Sequence, residues 1–132
     1  MSFNGYENLN PELREAIESS KYILDLEDDF DGEGSPKYSK ETWERAVEFV
    51  LHYERELREK GKNIEIPRIC PGFNGAIDLY WKAENKEILA KIPVSPDKEI
   101  AYYGDDFGEN KIKGTTKLSE YDSNLLAWLE KV

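Results

Sequence analysis

Apolar residues first fall into a helical rhythm at Leu13, Ala16, Ile17, Ser20 and Leu24, with Ile23 beside them, which predicts a helix over 11–26. Its start is marked by Asn10 as a capping side chain, Pro11 in the first turn and Glu12 near the positive end of the dipole. A longer stripe of Trp43, Ala46, Val47, Val50, Leu51 and Leu57 predicts a second helix over 39–60, with charged residues on its other faces. Ser39 is placed to cap it, Glu41 lies in its first turn, and Gly61 follows Arg58 and Lys60 where a C-terminal cap belongs.

After Gly61 the period shortens to two. Ile64, Ile66 and Ile69 lead into Cys70-Pro71-Gly72 as a short strand, which proline confines to an edge or an end. Ile77, Leu79 and Trp81 alternate with Asp78, Tyr80 and Lys82 in the clearest strand. Glu84-Asn85-Lys86 turns the chain into Ile88, Ala90 and Ile92, and Ser95-Pro96-Asp97-Lys98 turns it again before Ile100–Tyr103. A loop over 104–110 precedes a last strand with Lys111, Ile112, Lys113 and Thr115, which Gly114 weakens. Ser119 then opens a final helix with Asp122 in capping-box position and Tyr121, Leu125, Trp128, Leu129 and Val132 on one face. Connections this short favour an antiparallel meander. The expected fold is α+β: two N-terminal helices, four to five strands and a C-terminal helix, all helices on one sheet face. Residues 1–8 read as a tail carrying Phe3 and Tyr6, and 9–132 as a single domain.

Charge narrows the choice of partners. The chain of 132 residues carries 18 Lys and Arg against 28 Asp and Glu, a formal charge of −10 that repels nucleic-acid backbone and anionic lipid and favours basic partners. A single cysteine, Cys70, permits no internal disulfide. With no signal-like apolar run and no spanning segment, the expected location is cytoplasmic.

Candidate chemistry begins with residues 25–34, where Asp29, Asp31 and Glu33 alternate before Gly34 in the manner of the opening of an EF-hand calcium loop. The likeness stops at the position of the bidentate glutamate, which falls on Lys40. The stretch reads alternatively as an inter-helix turn built by Asp and Gly, or as an acidic surface facing a partner. Asp29, Asp31 and Glu33 are therefore both the weak candidate metal ligands and candidate partner-binding residues. No cofactor is expected. His52 and Cys70 are the only members of their kinds, with no third orienting group to complete a catalytic set, and they do not suffice for zinc. Asp78 interrupts an apolar strand and reads as the solvent side of a half-covered sheet. Lys111, Lys113 and Lys117, with Thr115 and Thr116, read either as a basic strip for phosphate or an acidic partner or, against the overall charge of −10, as a charged edge that discourages aggregation. If helices cover one sheet face, the other carries Tyr80, Leu89, Ala101 and Tyr103 among charges, and Tyr80 and Tyr103 become the second set of partner-binding candidates.

Phe30-Asp31-Gly32-Glu33-Gly34-Ser35, Pro67-Arg68-Ile69-Cys70-Pro71 and Gly75–Trp81 together resemble a family of small uncharacterised bacterial proteins. That family shows Trp-Asp-Gly-x-Gly before a helix and a Gly-x-Ile-x-Leu-x-Trp strand. Phe30 stands here in place of the tryptophan. The resemblance implies that Phe30, Asp31, Gly32 and Gly34 form a structured junction, and it carries over no catalytic residue. The expected function is a small acidic protein-binding or regulatory module without catalytic activity, antitoxin- or immunity-like in one form, with a homodimer open. The alternative is a divalent-cation-binding protein or carboxylate-dependent enzyme using the Asp25–Glu33 stretch.

Overall fold

The computed structural model describes residues 6–26 and 37–131. Helix α1 (Pro11–Ser19) starts as its sequence requires, with Asn10 Oδ1 accepting the Glu12 N–H at 2.8 Å. It ends earlier than the expected 26. Ser20 is buried on the apolar stripe, where its hydroxyl donates to the Ile17 carbonyl at 2.6 Å and accepts the indole N–H of Trp43 at 2.8 Å. A side chain that bonds its own backbone competes with the α-helical pattern. The chain accordingly tightens to a 3-10 turn over Ser20–Asp25.

Helix α2 (Lys40–Glu59) matches its stripe closely. Ser39 Oγ accepts the Thr42 N–H at 3.1 Å. At the other end Gly61 adopts φ +73°, its N–H reaches the Arg58 carbonyl at 3.0 Å and the Lys62 N–H reaches Leu57 at 2.9 Å. This double bond pattern is a Schellman cap, which needs a residue that tolerates the left-handed region.

Five strands follow: β1 (Arg68–Pro71), β2 (Ile77–Lys82), β3 (Glu87–Ile92), β4 (Ile100–Asp105) and β5 (Lys111–Thr116). They form one antiparallel sheet in the order β1-β2-β3-β4-β5. Ile69, Ile77, Leu79, Trp81, Ile88, Ala90, Ile92, Ile100 and Tyr102 are buried on one face, where α2 brings Phe49, Val50, Tyr53 and Leu57. At roughly 1.5–3 kcal/mol for each large apolar side chain withdrawn from water, this single layer of helix on sheet is the main source of stability. The α+β architecture read from the sequence is thus present, with five strands. Ile64 and Ile66 lie outside β1, and Ile64 makes an isolated bridge to Glu130.

The C-terminal helix is fixed at both ends. Helix α3 (Ser123–Leu129) takes Asp122 as its N-cap, where the sequence placed that residue a turn inside a helix opening at Ser119. Asp122 Oδ1 accepts the N–H groups of Asn124 and Leu125 at 2.8 and 3.2 Å, and Oδ2 accepts the Tyr102 hydroxyl at 2.7 Å. Its own N–H donates to the Tyr53 hydroxyl at 2.9 Å. At the far end Glu65 N–H meets the Leu129 carbonyl, Lys131 N–H meets Asn63, and the buried Lys86 ammonium donates to the Glu130 carbonyl. Burial lowers the Lys86 pKa, partly opposed by Glu65 and Glu130.

Gly114 is a slot and not a weakness. A Cβ there would stand 2.7 Å from the Tyr102 hydroxyl oxygen, the group that reaches Asp122. Gly114→Ala is therefore expected to destabilise the fold by about 1–3 kcal/mol through overpacking, although alanine is ordinarily the better strand residue. Urea unfolding checks it. A neutral or stabilising result would mean that Tyr102 moves aside freely.

Candidate functional site

The alternation that buries Ile77, Leu79 and Trp81 beneath α2 leaves Asp78, Tyr80 and Lys82 on the opposite face, and at the β1 edge the 3-10 turn over Ser20–Asp25 adjoins the sheet with Tyr22 near Cys70 and Arg68. The register then assembles three rows across the strands. One runs Cys70, Asp78, Lys91, Ala101 and Thr115; the next Arg68, Tyr80, Leu89, Tyr103 and Lys113; the third Lys82, Glu87, Asp105 and Lys111. Tyr80 and Tyr103 share the middle row, separated by Leu89 on β3. Tyr103 is 40% exposed, a large ring open to solvent on a face rich in charges.

The acids of this face have partners. Asp78 faces Lys91 directly, with Nζ and Oδ1 3.6 Å apart. That gap is too long for a hydrogen bond, and among the described residues Asp78 Oδ1 makes none, so the attraction is coulombic. Gly72 leaves room for this oxygen: a Cβ there would approach Asp78 Oδ1 to 2.7 Å. Glu87 accepts the Tyr80 hydroxyl at 2.5 Å, and this bond holds the phenol pKa above its ordinary value.

Cys70 lies in the same row as Asp78, and burial followed by the Asp78 charge raises its thiol pKa against the opposing pull of Arg68. A thiol shifted in this direction is held protonated and is a poor nucleophile at neutral pH. His52 sits on α2, on the other side of the sheet, with its ring edge-on to Tyr121 at 5.9 Å and Nε2 3.9 Å from Glu56. The structure does not bring His52 and Cys70 together.

Asp29, Asp31 and Glu33, with Phe30, Gly32 and Gly34, lie outside the described residues. Among the described residues no group of three or more His, Cys, Asp or Glu side chains could hold a metal ion, and no helix is long and apolar enough to cross a membrane.

Concave features lie elsewhere. A cavity of about 620 Å³ between α2, the β3–β4 loop and the segment after β5 is lined by Arg45, Lys98 and Lys117 with Glu48 and Asp97. One edge of the Arg45 guanidinium is already used, donating to the Pro93 and Val94 carbonyls at 2.7 Å and so tying α2 to that loop. A second, of about 500 Å³, is lined by Lys86, Asp106, Asn110 and Trp128. Neither is lined by Asp78, Tyr80 or Tyr103.

Phe73 escaped the sequence reading. It is 74% exposed at the tip of the β1–β2 hairpin, between Gly72 and Asn74, and Asn74 is itself left-handed at φ 54°. The Tyr38 hydroxyl anchors this loop by donating to the Gly72 carbonyl. The signal was the Gly-Phe-Asn-Gly sequence, a turn whose only bulky residue has no apolar neighbour in the chain to pack with. The chain matches no family model, and no curated protein or solved structure aligns with it, so this face is judged on its own chemistry.

Proposed function

We propose that this protein is a non-catalytic binding module that holds another polypeptide on the open face of its sheet, in a regulatory role. The observation that carries this reading is the middle row, where Tyr80, Leu89 and Tyr103 lie side by side with a cation at each end. Tyrosine brings large contact area at low conformational cost and keeps a polar hydroxyl for the rim. These groups stand on a hydrogen-bonded five-stranded sheet, a backbone already ordered before association. The chemistry around Cys70 and His52 supports binding over catalysis, since the one thiol is held protonated on the opposite side of the sheet from the one imidazole.

Site-specific photo-crosslinking in the native cell tests this. A benzoylphenylalanine at Leu89 or Tyr103 is expected to give a discrete protein adduct, while the same probe at Glu59, exposed at the end of α2, gives none. Equal adducts from all three positions, or none from the sheet, would remove the proposal.

A further inference from the structure

The charge of this face runs against that of the molecule. Arg68, Lys82, Lys91, Lys111 and Lys113 stand there with only Asp78, Glu87 and Asp105, five positive groups against three negative, so the face is +2. The whole chain is −10, which leaves −12 for everything else. The middle row is the one of the three that has charges but no acid: Arg68, Tyr80, Leu89, Tyr103, Lys113. Asp78 is matched by Lys91 and Glu87 by the Tyr80 hydroxyl, whereas among the described residues neither Arg68 nor Lys113 makes an ion pair.

We infer that the segment bound on this face is acidic and extended, and that it lies across the strands with carboxylates at both ends of the middle row. The inference rests on the binding reading above and reverses the basic partner suggested by net charge alone. With neighbouring strands about 4.8 Å apart, Arg68 on β1 and Lys113 on β5 are separated by roughly 19 Å. An extended chain rises about 3.3 Å per residue, so two carboxylates roughly six residues apart would meet both cations. Between them an apolar or aromatic side chain would rest over Leu89, flanked by the two tyrosine rings. Single-stranded nucleic acid also lies across aromatic sheets. A nucleic-acid backbone carries a phosphate at every nucleotide and would set charge over the carboxylates of Asp78, Glu87 and Asp105 in the flanking rows, whereas two carboxylates at the ends of the middle row meet only Arg68 and Lys113.

Peptide titration followed by NMR of the intact protein tests the inference. One nine-residue peptide carries two aspartates six positions apart around a central valine; a second carries lysines in their place; oligothymidylate and oligouridylate of twelve residues complete the set. The diaspartate peptide is expected to shift the resonances of Leu89 and Tyr103 and to bind about tenfold more tightly than the dilysine peptide. That preference should fall as salt rises, and should disappear in Arg68→Glu with Lys113→Glu and shrink in the milder Lys113→Gln. Equal binding of both peptides, binding of neither, or tighter binding of either oligonucleotide would overturn the acidic-segment inference. The crosslinking result separates the two ideas. An adduct at Tyr103 with no diaspartate preference retains the binding face and discards the acidic partner; no adduct discards both.

Discussion

Trp81→Ala is expected to lower the unfolding free energy by about 3–5 kcal/mol, a large share of what a domain of this size possesses. Trp81 is fully buried on the inner face near the end of β2, paired with Ile88 on β3, on the side where α2 crosses the sheet. Truncation removes the largest apolar surface of the core and leaves a cavity that regular strands on either side cannot collapse around. The companion variant is more telling. Among the described residues the buried Trp81 indole N–H has no hydrogen-bond partner, a feature that costs about 1–3 kcal/mol in the wild-type fold. Trp81→Phe keeps an aromatic body and deletes that donor, so its net cost is expected to stay below about 1.5 kcal/mol despite the lost volume. Equilibrium unfolding in urea reads both. A phenylalanine variant as unstable as the alanine one would show that the indole nitrogen is solvated by buried water and is no burden to the native state.

The sequence was most informative where one periodicity ran undisturbed. Helix α2 and the hairpin of β2 and β3 fell within a residue or two of their expected bounds, because Trp43–Leu57 keeps a 3.6-residue stripe and Ile77–Ile92 alternates cleanly around a short turn. The alternation also separates the sheet faces, and the register puts Tyr80 and Tyr103 on the one opposite Leu79 and Tyr102, as their spacing predicts. What failed were positions where a distant side chain decides the local backbone. Ser20 continues a helical stripe on paper, yet the Trp43 indole meets its hydroxyl from α2 and the helix tightens there. Gly114 is a poor strand residue taken alone, and only the Tyr102 hydroxyl above it explains why a side chain is absent. The sign of the charge at the candidate site was hidden for a similar reason. A total of −10 describes the average surface, whereas pairing brings Arg68 from β1 and Lys113 from β5 into the same row as two tyrosines.

Asp122→Ala should cost about 2–4 kcal/mol, because one carboxylate serves two elements, α3 and β4. It caps α3 through two backbone N–H groups and receives the Tyr102 hydroxyl from β4. Its backbone N–H contacts the Tyr53 hydroxyl of α2, which also bonds Thr116 at the end of β5. Asp122→Asn retains a cap and an acceptor and is expected to lose less than half as much, which separates the geometric role from the charge. The pH dependence follows from the two shifts. The Asp122 pKa is lowered, chiefly by the Tyr102 hydroxyl, so its contribution is present above the unfolded carboxylate value near 3.8 and is lost as pH falls through the lower folded value. The Tyr102 pKa is raised, first by burial and then by its bond to Asp122, so its contribution is intact below the unfolded value near 10 and is lost as pH rises through the folded one. Stability measured across pH should therefore hold through the neutral range and fall at both extremes. Tyr102→Phe should flatten both limbs: it removes the ionisable phenol at the alkaline end, and it lets Asp122 titrate closer to its unfolded value at the acid end. An acid limb that stays as steep in Tyr102→Phe as in the wild type would show that Asp122 is held ionised by the helix N-terminus alone, and that β4 does not contribute to fixing α3 through this bond.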